Sequence, residues 1–289
     1  TILYNTIIYP EDWSIKLQES LAENNKWKEV CKVEYTNDRV LHNPYMTDAT
    51  VQTGTRGSAY THQDITITDD SITIDGFNIL PQLIDRADLA QTDYVKQMEL
   101  ADSQGVLLNE SIETAMLAAH AQWTNFGTAD IGGGGSSTSA ITVSASNIDD
   151  IIRGMKREIR DAGGENLANR NGMFIIWRSA DFELLEAYVQ ANGFATADAG
   201  LKNGIKQGFI YMDVEHYSSN KHAAGHVFGG VKKVFHLGIV KATYGQVVID
   251  QEPATNSGAV SGIGIVSRVD FKFKAWFKVV PVLFDINVA

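Results

Sequence analysis

Between Pro81 and Trp123 the apolar residues recur at steps of three, four and seven: Ile84, Ala87, Tyr94, Met98, Ala101, Leu108, Ile112, Ala115 and Ala119. That spacing draws one stripe along an α-helix, and Pro81 suits a helical first turn. A helix from Ile84 to His120 would run ~55 Å at about 1.5 Å per residue. A globule made from 289 residues has a diameter of only ~50 Å. The stripe therefore predicts either a flat, elongated molecule or a break at Gly105, where glycine costs about 1 kcal/mol relative to alanine. The unbroken or gently kinked helix is the expected form. Seven acids (Asp85, Asp88, Asp93, Glu99, Asp102, Glu110 and Glu113) accompany only Arg86 and Lys96 on this stretch. Such an excess repels phosphates, so the helix is no nucleic-acid clamp. Its acids are either a solvated face or a ridge that meets basic residues of a neighbouring subunit.

The rest of the composition narrows the class. Hydrophobic residues at 44% and charged residues at 20% suit a folded globular chain. A net charge of −11 opposes tight nonspecific binding to nucleic acid. The single cysteine, Cys31, excludes an internal disulfide and suits a reducing cytosol. No apolar run approaches the ~20 residues of a membrane helix. The opening TILYNTIIYPEDW has neither a basic n-region nor an A-x-A site, so no secretory signal is expected.

Shorter elements follow from the same rules. Trp13, Leu17 and Leu21 predict a short amphipathic helix after Pro10, with Glu11 and Asp12 in its first turn. Ile65, Ile67, Ile72 and Ile74 alternate with polar residues around Asp69-Asp70, which predicts a hairpin with its turn at the aspartates and one apolar face. A lone hairpin is marginal in water, so its own core or a neighbouring subunit must cover it. After the glycine-rich stretch 132–135, Ser146 and Asp149 suggest a capping box ahead of Ile148, Ile151, Ile152, Met155 and Ile159. Gly163-Gly164 should end that helix. Met173–Trp177 reads as a buried strand, and Ser179 as the cap of a helix carrying Phe182, Leu185, Tyr188 and Val189. Helix, strand, helix points to helices packed on a sheet. Further strands are expected over 208–214, 234–244 and 246–249. A last one is expected over 267–286, with Pro281 at an edge or bulge.

Candidate chemistry is sparse. His222-x-x-x-His226, with His216 nearby, has metal-ligand spacing. Its glycine- and serine-rich surroundings hold no cysteine and no HExxH pattern, so the three read as surface-loop histidines. Gly132–Gly135 lacks the Lys-Ser/Thr of a phosphate loop, and Gly262-x-Gly264 precedes strand residues. Asp69-Asp70 and Asp149-Asp150 are explained by a turn and a first helical turn. There is no Gly-x-Ser-x-Gly elbow, and Cys31 has no histidine beside it in sequence. No catalytic, cofactor-binding or metal residue is assigned, and an enzyme is not expected.

Taken in order, these elements resemble the major capsid proteins of tailed phages, which have the Hong Kong 97 capsid fold. The resemblance covers nearly the whole chain and rests on element order rather than a signature string. It implies an α+β fold with an N-terminal arm at 1–45 and a projecting E-loop at 46–80. A P-domain with a spine helix would occupy 81–142, an A-domain 143–250, and a strand returning to the P-domain 251–289. The A-domain would hold the SNIDDIIRGMKREI helix, the MFIIW strand and the SADFELLEAY helix. The function implied is a structural subunit of an icosahedral phage capsid. It would self-assemble into hexamers and pentamers around packaged DNA, in the virion, after assembly in the host bacterial cytoplasm. Partners implied are other copies of the chain, scaffolding, portal and decoration proteins, and weak nonspecific contact with DNA, with no membrane and no cofactor. An encapsulin-like shell around protein cargo is the nearest alternative. A metal-dependent enzyme using His216, His222 and His226 is a more distant one. Some relatives crosslink neighbouring subunits through an E-loop lysine, yet no lysine lies between Lys32 and Lys96. A shell held without that covalent bond is expected.

Overall fold

The computed structural model describes residues 25–84, 97–132, 139–192, 209–244, 246–250 and 263–289. The helix expected around Trp13, Leu17 and Leu21 lies outside the described residues. A short helix, α1 (Trp27–Val30), leads into β1 (Lys32–Thr36). A two-armed ribbon follows, with β2 (Val40–His42) and β3 (Tyr45–Met46) going out and β4 (Ile67–Thr68) and β5 (Ser71–Thr73) coming back. Next come β6 (Phe77–Ile84), the long helix α2 (Gln97–Ala118), a 3-10 turn (Ala119–Gln122), β7 (Thr124–Phe126) and α3 (Thr128–Gly132). Then come α4 (Ile148–Asp161), α5 (Glu165–Asn171), β8 (Met173–Arg178) and α6 (Ser179–Ala191). The rest is strand: β9 (Phe209–Tyr211), β10 (Val214–Ser219), β11 (His226–Val231), β12 (Phe235–Val240), β13 (Gln246–Asp250), β14 (Ile263–Ala275) and β15 (Leu283–Asn287).

Two mixed sheets organise these elements. One runs β7-β15-β11-β8-β10-β9. The other runs β1-β12-β14-β13, with β6 on the opposite edge of β14. Phe174 to Trp177 are all fully buried, because β8 is covered on both faces and needs no polar alternation. The amphipathic α4 lays Ile151, Ile152, Met155 and Ile159 on one face of that sheet. Gly229 makes the close approach possible: a Cβ there would meet Met155 Sδ at 3.0 Å. On the other face an aromatic seam joins the two sheets. Trp123 stacks on Phe228 at 3.6 Å, Phe228 meets Phe174 and Phe235 edge-on, and Phe235 stacks on Phe273 at 5.4 Å. Such pairs add ~0.5–1.5 kcal/mol each beyond the area they bury.

The long helix is present: its described part runs from Gln97 to Ala118, and residues 85–96 lie outside the described residues. Pro81 is not in its first turn; it lies in β6, opposite Val266 of β14. Edge strands tolerate proline because one side of the backbone needs no ladder donor, and among the described residues β6 pairs with β14 alone. The 22 described residues of the helix span ~33 Å. It passes through Gly105 without a break. A Cβ at Gly105 would meet nothing within 4 Å, so Gly105→Ala is expected to raise stability by about 1 kcal/mol in a urea melt. A loss of stability would mean that the helix bends there. Two of its acids are not solvated. Glu110 pairs with Lys221 at 2.7 Å, and Glu113, buried, with Lys26 at 3.6 Å, both within the subunit.

Other expectations hold or shift for local reasons. Gly163, at φ +72°, and Gly164 end α4 as expected, their N–H groups donating to Arg160 and Ile159. The capping box does not form: Asn147 is the N-cap and makes no side-chain cap bond. The expected strand over 267–286 is two strands in different sheets, separated by a 3-10 turn at Val280–Val282 that carries Pro281. The expected strand at 208–214 is a hairpin, turned by Met212 and Asp213 at positive φ.

Candidate assembly surface

The ribbon is one long hairpin, and its turn is not at Asp69-Asp70. Val40 pairs with Thr73, Leu41 with Ile72, His42 with Ser71, Tyr45 with Thr68 and Met46 with Ile67. The same register continues past the strands. The Asn43 N–H donates to the Asp70 carbonyl (2.8 Å) and the Thr47 N–H to the Thr66 carbonyl (3.0 Å). Farther out, two glutamines replace the ladder. Gln63 accepts from the Thr50 N–H (2.8 Å) and donates to the Thr50 carbonyl (3.0 Å). Gln52 does the same with Thr61, at 3.2 and 2.9 Å. Thr55 and Ser58 close the tip around Arg56-Gly57, with Gly57 at φ +90°. Gly57 suits that left-handed position because it carries no Cβ.

This register separates the four isoleucines. Directly paired residues share a face, and neighbours along a strand alternate. Leu41, Ile72 and Ile74 therefore point one way, and Met46, Ile65 and Ile67 the other. Ile72 is 2% exposed, packed with Ile74, Val240 and Trp276, while Ile67 is 67% exposed. Gly238 on β12 lets the ribbon lie this close, since a Cβ there would meet Leu41 Cδ1 at 2.9 Å. Ion pairs fasten the base: Asp75 to Lys272 (3.0 Å), Asp70 to Lys274 (3.1 Å) and Asp48 to Lys278. Tyr45 stacks on Phe277 at 5.2 Å. Every residue from 46 to 69 is exposed. The two sources of cover left open by the sequence thus apply to different halves: the subunit covers Ile72 and Ile74, and leaves Ile65, Ile67 and Met46 bare.

Solved structures share this architecture along nearly the whole chain. A chain from Mycobacterium phage Che8 superimposes with a TM-score of 0.70 at 16% identity, covering 98% of each chain. The mature capsid of bacteriophage PhiM1 gives 0.65 at 13% identity, covering 98% of this chain and 92% of that one. The capsid of an empty GTA particle gives 0.68 at 11%, covering 99% and 96%. The fold is the Hong Kong 97 capsid fold. No family model matches the sequence, and no curated protein matches it either.

Within this capsid fold the histidines are not a surface-loop cluster. His216, on β10, is fully buried. Its Nδ1 accepts from the Trp177 indole N–H at 3.0 Å, and its Nε2 lies 3.2 Å from the Tyr211 carbonyl. Burial pushes its pKa down to about 4. His222 is also pushed down to about 4, by burial first and then by the charge of Arg178. His226 opens β11 and meets neither of them. It sits with His120 and Asp285, the one potential metal-ligating group of three among the described residues. The trio His216, His222 and His226 therefore forms no metal centre. Burial raises the Asp285 pKa, opposed by the His226 hydrogen bond. The Cys31 thiol, buried against Met116, is pushed far up by burial and is no nucleophile.

The buried His216 carries a pH prediction. Its folded pKa lies below the ordinary 6.5, so the unfolded chain takes up the proton first. The stability it contributes is full above about pH 6.5 and is lost as pH falls towards about 4. Between pH 7 and 5 the loss from this residue is roughly 2 kcal/mol. Urea melts at the two pH values check it: His216→Gln should show a pH slope smaller by that amount.

Proposed function

We propose that the chain is a structural, non-catalytic subunit of an icosahedral phage capsid, assembling into hexamers and pentamers around packaged DNA. The observation that carries this reading is the hairpin whose inward apolar face is covered by its own subunit and whose outward face, Met46, Ile65 and Ile67, is bare. An apolar strip on a projecting arm marks a site of protein contact, and repetition of one heterologous contact closes rings when the rotation fits. The likeness to capsid chains along nearly the full length supports the same reading. In this assignment 1–45 is the arm, 46–80 the E-loop, 81–142 the P-domain with α2 as spine helix, and 143–250 the A-domain. Residues 251–289 return to the P-domain.

Size-exclusion chromatography and negative-stain microscopy of the expressed full chain test the proposal. Closed particles are expected; a stable monomer or dimer at high concentration would overturn it. Nucleic acid rather than protein cargo inside particles from infected cells separates a capsid from an encapsulin-like shell. The ribbon, at 39–74, holds no lysine, so its tip cannot supply an amine for an isopeptide bond. On a denaturing gel, mature particles should give a single band at the mass of one chain. A ladder of covalent multimers would contradict this.

A further inference from the structure

The end of the long helix meets the six-stranded sheet at a carboxylate that, among the described residues, pairs with histidines and with no lysine or arginine. Asp285, on β15, is 2% exposed. His226 Nδ1 lies 2.9 and 3.0 Å from its two oxygens, and His120 Nδ1 lies 3.6 Å from Oδ2. The two imidazoles lie face to face with centroids 3.7 Å apart, 16° from parallel. One ligand atom from each of the three side chains falls within 4.8 Å of the others. Around a tetrahedral zinc, bonded at ~2.0–2.1 Å, ligand atoms stand ~3.3–3.4 Å from one another. The measured spacings of the two histidines from Asp285 bracket that value.

Charge argues in the same direction. A buried carboxylate is costly unless a cation accompanies it. Imidazoles give it hydrogen bonds, whereas a divalent metal adds two positive charges and takes nitrogen and oxygen ligands together. We propose that His120, His226 and Asp285 form a three-ligand site for a zinc-class divalent transition metal, joining the helix end to β11 and β15. Both imidazoles are about a quarter exposed, 29% for His120 and 26% for His226. That exposure leaves room for the rings to splay until both Nδ1 lone pairs converge, with the fourth position open to water. Because the ligands lie far apart in sequence, the metal binds the folded chain and not the unfolded one, and so stabilises the fold.

Zinc titrated into metal-stripped, tag-free full-length protein should bind at one equivalent per chain and raise the melting temperature. Cobalt in its place should give the visible d–d bands of a tetrahedral site, a readout that requires no variant. His120→Gln, at a partly exposed position, should fold as the wild type and bind zinc at least ~100-fold more weakly, beyond the loss typical of an outer-shell partner. The double variant His42→Ala/His62→Ala, on the exposed ribbon, should bind normally. The proposal is overturned by no uptake at micromolar zinc, by unchanged affinity in His120→Gln, or by loss of binding in the ribbon variant.

Discussion

An Ile67→Asp subunit is expected to fold normally and fail to assemble, while an Ile72→Asp subunit is expected to lose its fold. The two isoleucines lie in the same arm of one hairpin, yet an odd number of steps separates them, so they face opposite ways. Ile67 is exposed beside its partner Met46, and an exposed substitution changes stability by only about ±0.5 kcal/mol. A charge on that face would have to be desolvated in any contact with a neighbour, a cost of several kcal/mol. Ile72, with Ile74, Val240 and Trp276 around it, is a different case. An aspartate there is a buried, unpaired charge, and a loss of about 4 kcal/mol or more is expected. Urea melts of both variants, with microscopy of the first, check the pair. Normal particles from Ile67→Asp would remove the outward face from the assembly contact. Wild-type stability in Ile72→Asp would overturn the assignment of faces.

The second large effect is expected at Lys26. Its backbone N–H donates to Glu113 Oε2 at 2.6 Å, its ammonium lies 3.6 Å from Oε1, and the Ser219 hydroxyl lies 3.3 Å from Oε1. Lys26 and Glu113 are 6% and 1% exposed. This buried node ties the segment before α1 to the long helix and to β10. Lys26→Met removes the ammonium and leaves the carboxylate buried, which costs about 3–5 kcal/mol in comparable pairs. The double variant Lys26→Met/Glu113→Gln should recover much of that loss, because no charge remains to be neutralised. A double-mutant cycle by urea melts measures the recovery, and a double variant no more stable than Lys26→Met would refute this account.

Elements whose signal is local were legible in the sequence. Helix α4 carries its apolar stripe and glycine stop in consecutive residues, and the run Met173–Trp177 is a strand buried on both faces. The ribbon was legible only in its inner half. Its distal arms owe their pairing to Gln52 and Gln63, whose amides bind backbone groups, and such residues carry no strand signature. The phase change between Ile67 and Ile72 was readable in principle, since five steps cannot return to one face of a strand. Pro81 misled because proline suits both a helix start and an edge strand. Gly229 and Gly230 gave β11 the look of a loop, although they serve close packing. A Cβ on Gly230, at φ +150°, would lie 2.4 Å from the Val282 carbonyl oxygen. The meeting of His120, His226 and Asp285 has no local trace at all, because it arises where three distant segments converge.

The base of the hairpin acts as a clamp, and a clamped rod is a lever. The last ion pair along the outgoing arm is that of Asp48 with Lys278, and roughly 30 Å of ribbon extends beyond it at ~3.3 Å per residue. A swing of about 10° at the clamp would carry the tip sideways by ~5 Å over that length, while the packing around Ile72 and Ile74 stays intact. Its ion pairs are exposed enough to weaken with salt. One subunit could thereby meet neighbours at several angles, as a curved, closed surface built from a single chain requires.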